Sequence, residues 1–522
     1  MCEALPRPAG SAVSVPGPVP RFRVPAPPAG LRCFPPAAGA VPSVPARSPP
    51  KRPAPSPRPV VYARPTPMTT KPRQPRTPTG PPGVLILVEN LSVPKDRRVW
   101  LEARTLQEAG YRVSVICPAD PGEPAREVRD GVALYRFRSR SHSGGVAGYL
   151  FEYGWAMLAA SALSLRARRE RGFRLLQGCN PPDTFFLVAW LHRLLGGVRY
   201  VFDQHDLAPE MYAVRFAGRN GAGGGGLAGR LLRWCERRSW RAADLVLATN
   251  ETFRRRAIER GGKRPEDVIV VRNGPDLARF RPVPERPERR EGRRHLVAYV
   301  GAMAPQDGVD LLVEAAAHVV RARGRDDVLF VLLGDGDQWE ALRSQARALG
   351  IEQSVRFPGW IADDADLAAW LCTADLCVAP DPANGLNEHC TFIKVAEYLA
   401  MARPVVAFDL PETRATAGEA GLYATPNDPR ELGDRILELL DDPPRRTAMG
   451  RSGAERVRLA LSWEHGARAY LQAYERLTAR LADGGRNRRS ASPAAPAQPA
   501  GRSAGPTGGH GSSDGGAPRK AG

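Results

Sequence analysis

Residues 386–409 read LNEHCTFIKVAEYLAMARPVVAFD, a polar turn that runs into a short helix and then into a buried β run. Phe392, Ile393, Ala396, Leu399 and Ala400 recur with the i, i+3, i+4 rhythm of a helix packed on a sheet, and Thr391 is placed to cap its start. Lys394 and Glu397 are three apart and share one face of that helix. A lysine in the first turn opposes the helix dipole, and Lys before Glu is the weaker order for a stabilising pair. A solvated ion pair is therefore a poor account of this face, and an anionic ligand a better one. Free N–H groups at a helix start plus an ammonium suit a diphosphate, and a carboxylate one turn on accepts hydrogen bonds from ribose hydroxyls. Asn387 and Thr391, in the turn ahead, join the expected donor-binding set.

Working outward, apolar strand-like runs alternate with helical patterns, which predicts an α/β chain built on parallel sheets. The first half carries VLILVE at 84–89, RVSVIC at 112–117, ALYRF at 133–137, LLQG near 175, YVFDQ at 200–204, LVLAT at 245–249 and VIVVRN at 268–273. The Pro- and Arg-rich stretch RPVPERPERREGRR at 281–294 reads as a linker. The second half restarts with LVAYVG at 296–301, followed by VLFVLLG, SVRFPG, LCVAP and PVVAF. Two doubly wound, Rossmann-like domains facing a cleft follow, at 83–285 and 286–480, with disordered tails at 1–82 and 481–522. Ligands in such sheets bind beyond the carboxyl ends of the strands. Gly301 and Ala302 follow one such strand, and Gly334 and Gly336 another. Neither loop is a G-x-G-x-x-G with a following acidic residue, and no Walker lysine loop is present, which argues against a dinucleotide cofactor. Trp360 after VRFPG is either a nucleobase neighbour or a packing residue.

An ordered series of stretches carries a resemblance: VLILVENLSVPKDRRVWLEARTLQEAGYRVSVI, CNPPD, VFDQHDLAPE, VVRNGPD, YVGAMAPQDGVDLLVEA, LLGDGDQWEALR, VRFPGW and the Glu397 segment. Over roughly residues 83–480 the chain resembles the family 4 glycosyltransferases, retaining nucleotide-sugar enzymes with the GT-B fold, and most of all a branch with a PQDG-like loop. The resemblance implies donor contacts from Gly301, Ala302, Gly334, Trp360, Asn387, Thr391, Lys394 and Glu397, with the N-terminal domain on the acceptor side. It implies no divalent metal and no other cofactor. Two positions depart from the family pattern. Its first glutamate, eight before the second, is His389 here, with Glu388 beside it. Its Arg and Lys in the glycine loop are Ala302 and Asp307, so Lys394 is expected to supply the missing positive charge.

VFDQHDLAPEMY ends a first-domain strand with Gln204, His205, Asp206 and Glu210 expected in the cleft. A lone histidine is usually structural, but an imidazole at a strand end flanked by acids suits the orientation of a sugar hydroxyl. The resemblance places His205 in the sugar-facing region; with Lys394 it forms the expected catalytic pair. Asn90 and Asp96, and Asn180 and Asp183 in CNPPD, are either acceptor-side groups or turn and cap residues.

Composition bounds the alternatives. The chain has 522 residues, 43% apolar, and a formal charge of +20. Residues 1–82 hold twelve Lys/Arg against one Glu, and residues 484–522 six against one Asp, which leaves the core only modestly basic at +4. Such a core needs no nucleic acid, although it suits anionic donors and an anionic membrane surface. The tails lack a core-forming pattern. Pro interrupts every apolar run in the first, so it makes a poor secretory signal, and Met68 offers an alternative start. Eight scattered cysteines without a C-x-x-C pair read as reduced thiols of a cytoplasmic protein. YLFEYGWAMLAASALSL at 149–165, running into Arg166, Arg168, Arg169 and Arg171, is either a half-buried helix or an interfacial one at the inner face of the membrane.

The expected function is transfer of a hexosyl or N-acetylhexosaminyl group from a nucleotide-sugar to an acceptor hydroxyl, in cell-surface or cell-wall polysaccharide assembly, on a lipid-linked or glycan acceptor. Peripheral membrane association fits that role. Two rivals stand beside it: a nucleotide-sugar 2-epimerase of the same architecture, and a nucleic-acid or membrane-surface binding protein whose basic tails carry the function.

Overall fold

The computed structural model describes residues 81–139, 146–216 and 226–490. Residues 1–80 of the expected N-terminal tail and 491–522 of the expected C-terminal tail lie outside them. Two sheets form the frame. The first has eight strands: β1 (Gly83–Leu87), β2 (Arg112–Ala119), β3 (Arg126–Arg129), β4 (Val132–Arg138), β5 (Leu175–Cys179), β6 (Arg199–Gln204), β7 (Leu245–Ala248) and β8 (Val268–Val270). Their order is β3-β4-β2-β1-β5-β6-β7-β8, parallel except for the β3–β4 pair. The second has six: β9 (His295–Val300), β10 (Val328–Leu333), β11 (Val355–Gly359), β12 (Leu376–Ala379), β13 (Val405–Phe408) and β14 (Gly421–Ala424). These run parallel in the order β11-β10-β9-β12-β13-β14. The strand order reverses beside β1 in the first sheet and beside β9 in the second, and crevices open at such points.

Each sheet is covered on both faces, which is why its inner strands are apolar without alternation. One face of the first sheet packs on helices Val146–Glu170, Phe186–Leu194 and Leu227–Ala242, with Tyr200, Phe202, Phe186 and Trp240 in its core. The other packs on helices Arg97–Glu108 and Trp463–Ser490.

That last helix corrects the expected domain map. It begins within the 286–480 range expected for the second domain, yet Trp463, Tyr470, Ala473, Tyr474 and Leu477 are buried in the core of the first. It runs to Ser490, past the expected boundary at 480. The crossing between domains also falls earlier than 285, since Val271 packs with the first core and Phe280 with the second. The 281–294 stretch is strapped to the second domain rather than free: Arg290 pairs with Asp375 at 2.5 Å, Arg286 with Asp366 at 3.1 Å, and the Arg289 guanidinium lies 4.3 Å from the Trp370 ring centroid. Among the described residues no helix is long and apolar enough to cross a membrane. The 149–165 stretch turns Ala156, Ala160 and Ser164 into the protein, as its half-buried reading requires.

Candidate active site

The carboxyl ends of both sheets line one cleft of about 620 Å3, into which Asp96, Arg97, Arg98, His205 and Asp206 face from the first domain and Gly301, Ala302, Asp307, Gly334, Trp360, Asn387, Thr391, Lys394 and Glu397 from the second. On the second side the glycines set the floor. Gly334 has φ +143°, and a Cβ there would stand 1.8 Å from the Gly301 carbonyl oxygen, so the two loops touch backbone to backbone. Trp360 is 61% exposed beside them, available to a ligand rather than packed.

The helix of the opening motif is Ile393–Ala400. Tyr398 anchors it, its hydroxyl donating to Val300 O and accepting from Val300 N at the end of β9. Thr391 does not cap it. Phe392 is the N-cap residue without a side-chain bond, and the Thr391 hydroxyl instead donates to Glu412 and accepts from Asn250 of the first domain. The helix start thus has no side-chain cap, and Thr391, Phe392, Ile393 and Lys394 line the cleft there. Asn387 is buried and donates to Gln306 O and Pro382 O, which holds the turn in place.

Lys394 and Glu397 are both buried and do not pair with each other. Lys394 Nζ lies 2.7 Å from Asp381 Oδ1 and 5.0 Å from the Tyr299 ring centroid. Burial alone would pull the ammonium down, but Asp381 and Asp307 outweigh it and hold Lys394 above the usual lysine range. Burial pushes Asp307 up to about 6, although Lys394 opposes it. Glu397 Oε1 accepts Arg97 Nη1 at 3.3 Å across the cleft, and Arg97 Nη2 also reaches Asp364 at 2.9 Å. Burial raises the Glu397 carboxyl, with Arg97 pulling the other way.

On the first-domain side the centre is Asp203, fully buried at the end of β6. Its Oδ1 accepts Arg98 Nη2 at 2.9 Å, and its Oδ2 lies 2.7 Å from His205 Nε2. Arg98 Nε stands 3.1 Å from the same ring nitrogen, which cannot accept from arginine while donating to aspartate. The shorter contact assigns the Nε2 proton to the bond with Asp203, which leaves Nδ1 for a ligand in the cleft. Burial disfavours the imidazolium, but Asp203 outweighs it and raises His205 above the ordinary histidine range. Arg98 and His205 in turn hold Asp203 far below the carboxylate range against its burial. Asn180 Oδ1 accepts the His205 backbone N–H at 2.6 Å, so this residue sets the loop. Glu102, Cys179, Asp203 and His205 offer atoms within 4.8 Å of one another, a spacing that would suit a cation. The Arg98 guanidinium already lies among them, and burial keeps Cys179 a thiol.

Several expected residues lie elsewhere. Gln204 is fully buried, its Oε1 accepting Trp240 Nε1. Glu210 is taken up by Arg260 at 2.6 Å. Asp183 is buried against Asn180, with its carboxyl pushed up to about 7 by burial, and Asn90 is exposed away from the cleft lining. Asp96 lines the cleft but also caps its helix by accepting Val99 N. His389 faces a second cavity of about 470 Å3 with Glu388 and Arg256, so the substituted glutamate position does not enter the cleft. Arg97, Arg98, Asp203 and Asp381 were not anticipated. Arg97 and Arg98, like Lys394, oppose the dipole in a first helical turn, and that signal was legible.

Two doubly wound sheets, parallel but for the β3–β4 pair, with facing carboxyl ends, glycine floors and a basic helix start, form the GT-B architecture. A family described as Glycosyl transferase 4-like domain matches residues 96–274 and one described as Glycosyl transferases group 1 matches residues 294–442, and the chain is a glycosyltransferase carrying both domains. It is 29% identical over 405 residues to the D-inositol 3-phosphate glycosyltransferase of Kineococcus radiotolerans, covering 72% of this chain and 88% of the relative. Among solved structures, sucrose-phosphate synthase from Thermosynechococcus elongatus superposes with TM-score 0.63 at 21% identity, over 76% of this chain and all of that one. Anabaena HepE in complex with UDP-glucose superposes with TM-score 0.56 at 17% identity, over 77% of this chain and all of that one.

Proposed function

We propose that this enzyme moves a hexosyl or N-acetylhexosaminyl group from a nucleoside diphosphate donor to an acceptor hydroxyl, with retention at the anomeric carbon, in assembly of a cell-surface glycan on the cytoplasmic side of the membrane. The observation that carries it is the buried Lys394 and Glu397 on one helical turn at the cleft floor, each held by a partner outside the helix. In this reading Glu397 accepts the ribose hydroxyls, and Lys394 with the helix N–H groups faces the phosphates. Rupture of the anomeric bond puts charge on the departing diphosphate, and fixed donors at the cleft floor stabilise it. His205 Nδ1 meets a hydroxyl of the donor sugar or the acceptor, oriented by Asp203 behind it. Departure and attack on one face of the sugar require no enzymic nucleophile, and Arg98 fills the place a cation would take, so no metal enters the proposal.

A thermal-shift screen with UDP-, GDP-, ADP- and dTDP-sugars identifies the donor. Incubation with that donor alone then separates transfer from epimerisation. Conversion to a second sugar nucleotide without release of nucleoside diphosphate would overturn the proposal.

A further inference from the structure

Helices Phe186–Leu194 and Leu227–Ala242 pack side by side on the outer face of the first domain. Along the first, Leu187, Trp190 and Leu194 follow one another at helical spacing on the solvent side. Along the second, Leu227, Leu231 and Trp234 do the same. Leu194 and Leu227 are 87% and 84% exposed, extreme for leucine. The Phe186 ring joins the two stripes, edge-on to Trp190 at 4.9 Å and to Trp234 at 6.3 Å, so this is one patch.

Its charge decides what covers it. The Leu227–Ala242 helix carries five arginines and a single glutamate. Glu236 is buried, 2.5 Å from Arg260, and adds nothing to the outer surface. Arg230, Arg237, Arg238 and Arg241 are exposed, and none pairs with a described carboxylate. Arg238 instead lies 5.2 Å from the Trp234 ring centroid, where it lengthens the basic rim of the apolar stripe. Leucine and tryptophan ringed by unpaired arginine fit the headgroup layer of an anionic bilayer, where indole rings and guanidinium groups both find partners. A folded protein partner would need matching carboxylates, and a second copy of this face would set arginine against arginine.

We propose that this two-helix face docks the enzyme on an anionic lipid surface, Leu194, Leu227, Trp190 and Trp234 entering the headgroup layer and Arg230, Arg237, Arg238 and Arg241 meeting lipid phosphates. The 149–165 stretch contributes less, because Arg166 is already paired with Glu170 at 2.8 Å. The face is separate from the cleft and does not depend on the donor reading.

The test is flotation of the full chain with phosphatidylcholine vesicles containing or lacking phosphatidylglycerol. Arg237→Glu/Arg238→Glu should weaken binding to the anionic vesicles by at least 20-fold, at about fivefold per arginine lost. Leu194→Ser/Leu227→Ser should weaken it about 10-fold or more. Brominated phosphatidylglycerol should quench tryptophan emission of the native chain and not of Trp190→Phe/Trp234→Phe. Because both basic tails are kept throughout, they cannot produce these differences. Equal flotation of native and variant chains, binding independent of phosphatidylglycerol, or a dimer in vesicle-free solution abolished by the leucine substitutions would overturn the proposal.

Discussion

Lys394 is paired not with Glu397, its neighbour one turn along the helix, but with Asp381 at the end of β12, 2.7 Å away and 1% exposed. Removing one partner of a buried pair leaves the other uncompensated, which costs about 3 to 5 kcal/mol. Lys394→Ala should therefore lower stability by that order in urea unfolding, and should weaken diphosphate binding far more than nucleoside binding in calorimetric titration. Lys394→Met/Asp381→Asn should regain most of the stability without regaining the preference for phosphate. Full recovery of that preference would remove Lys394 from the donor site.

Glu397 should behave differently. Charge-assisted hydrogen bonds to ribose are worth about 1.5 to 3 kcal/mol, so Glu397→Ala should weaken nucleoside affinity about 10- to 100-fold. Arg97 holds the same carboxylate in the free enzyme but is half-exposed, and such pairs contribute under about 1 kcal/mol. Arg97→Ala should accordingly change nucleoside affinity less than about fivefold. A larger loss would mean that Arg97 itself contacts the ligand.

What the sequence displayed and what it hid follow from burial. Parallel strands covered on both faces are continuous apolar runs, so both sheets and the basic helix start were legible. β3 is four residues, REVR, on an exposed edge, and β14 is the short GLYA; neither has a hydrophobic pattern to see. Arg98 and Glu102 were hidden because charged residues in an amphipathic helix are read as its wet face. Yet they fall in register with Val99, Ala103 and Leu106 on the buried one, and that register was the available clue. Gln204 and Glu210 were misplaced because the strand-end reading fixes position along the chain and not the direction of a side chain.

Asp307 gives the donor site a pH dependence with a definite sign. Its pKa of about 6 means it is mostly ionised at pH 7, and a diphosphate near Lys394 would raise it further. Affinity for nucleoside diphosphate should therefore fall as pH rises from about 6, while nucleoside affinity stays level. Asp307→Asn should flatten the profile and strengthen diphosphate binding above pH 7. A native profile that is flat from pH 5.5 to 8 would show that Asp307 does not face the phosphates.

His205→Ala should reduce turnover roughly 100-fold with nucleotide affinity nearly intact, since the nucleotide rests on the other domain. Asp203 raises the imidazole, so the ring loses its proton at higher pH than an ordinary histidine. If neutral Nδ1 is the working form, kcat/KM should rise with pH through a midpoint above 6.5. Any folding stability from the His205–Asp203 contact has the opposite course, full below about 6.5 and lost as pH climbs through the raised value. Asp203→Asn should move the kinetic midpoint down. An unchanged midpoint would assign the limb to another group.

The last prediction concerns the helix that returns to the first domain. Tyr470 and Tyr474 donate to Gln177 Oε1 at 2.7 and 2.5 Å, and Gln177 Nε2 donates to Glu102 at 2.7 Å and to Asp203 at 3.0 Å. The C-terminal helix thus ends a buried chain of hydrogen bonds that begins at His205. Tyr470→Phe/Tyr474→Phe leaves Gln177 Oε1 without a donor, which should cost about 1 to 3 kcal/mol in urea unfolding. It should also lower turnover with little change in donor affinity, because Gln177 would be free to turn away from Asp203. A chain running from Met68 to Asp483 keeps Trp463, Tyr470, Tyr474 and Leu477, and should fold and turn over donor like the full one. A chain ending at Ser462 exposes that face of the first sheet and should not fold. Retention of a cooperative unfolding transition by the 462 truncation would show that the first domain stands without its strap.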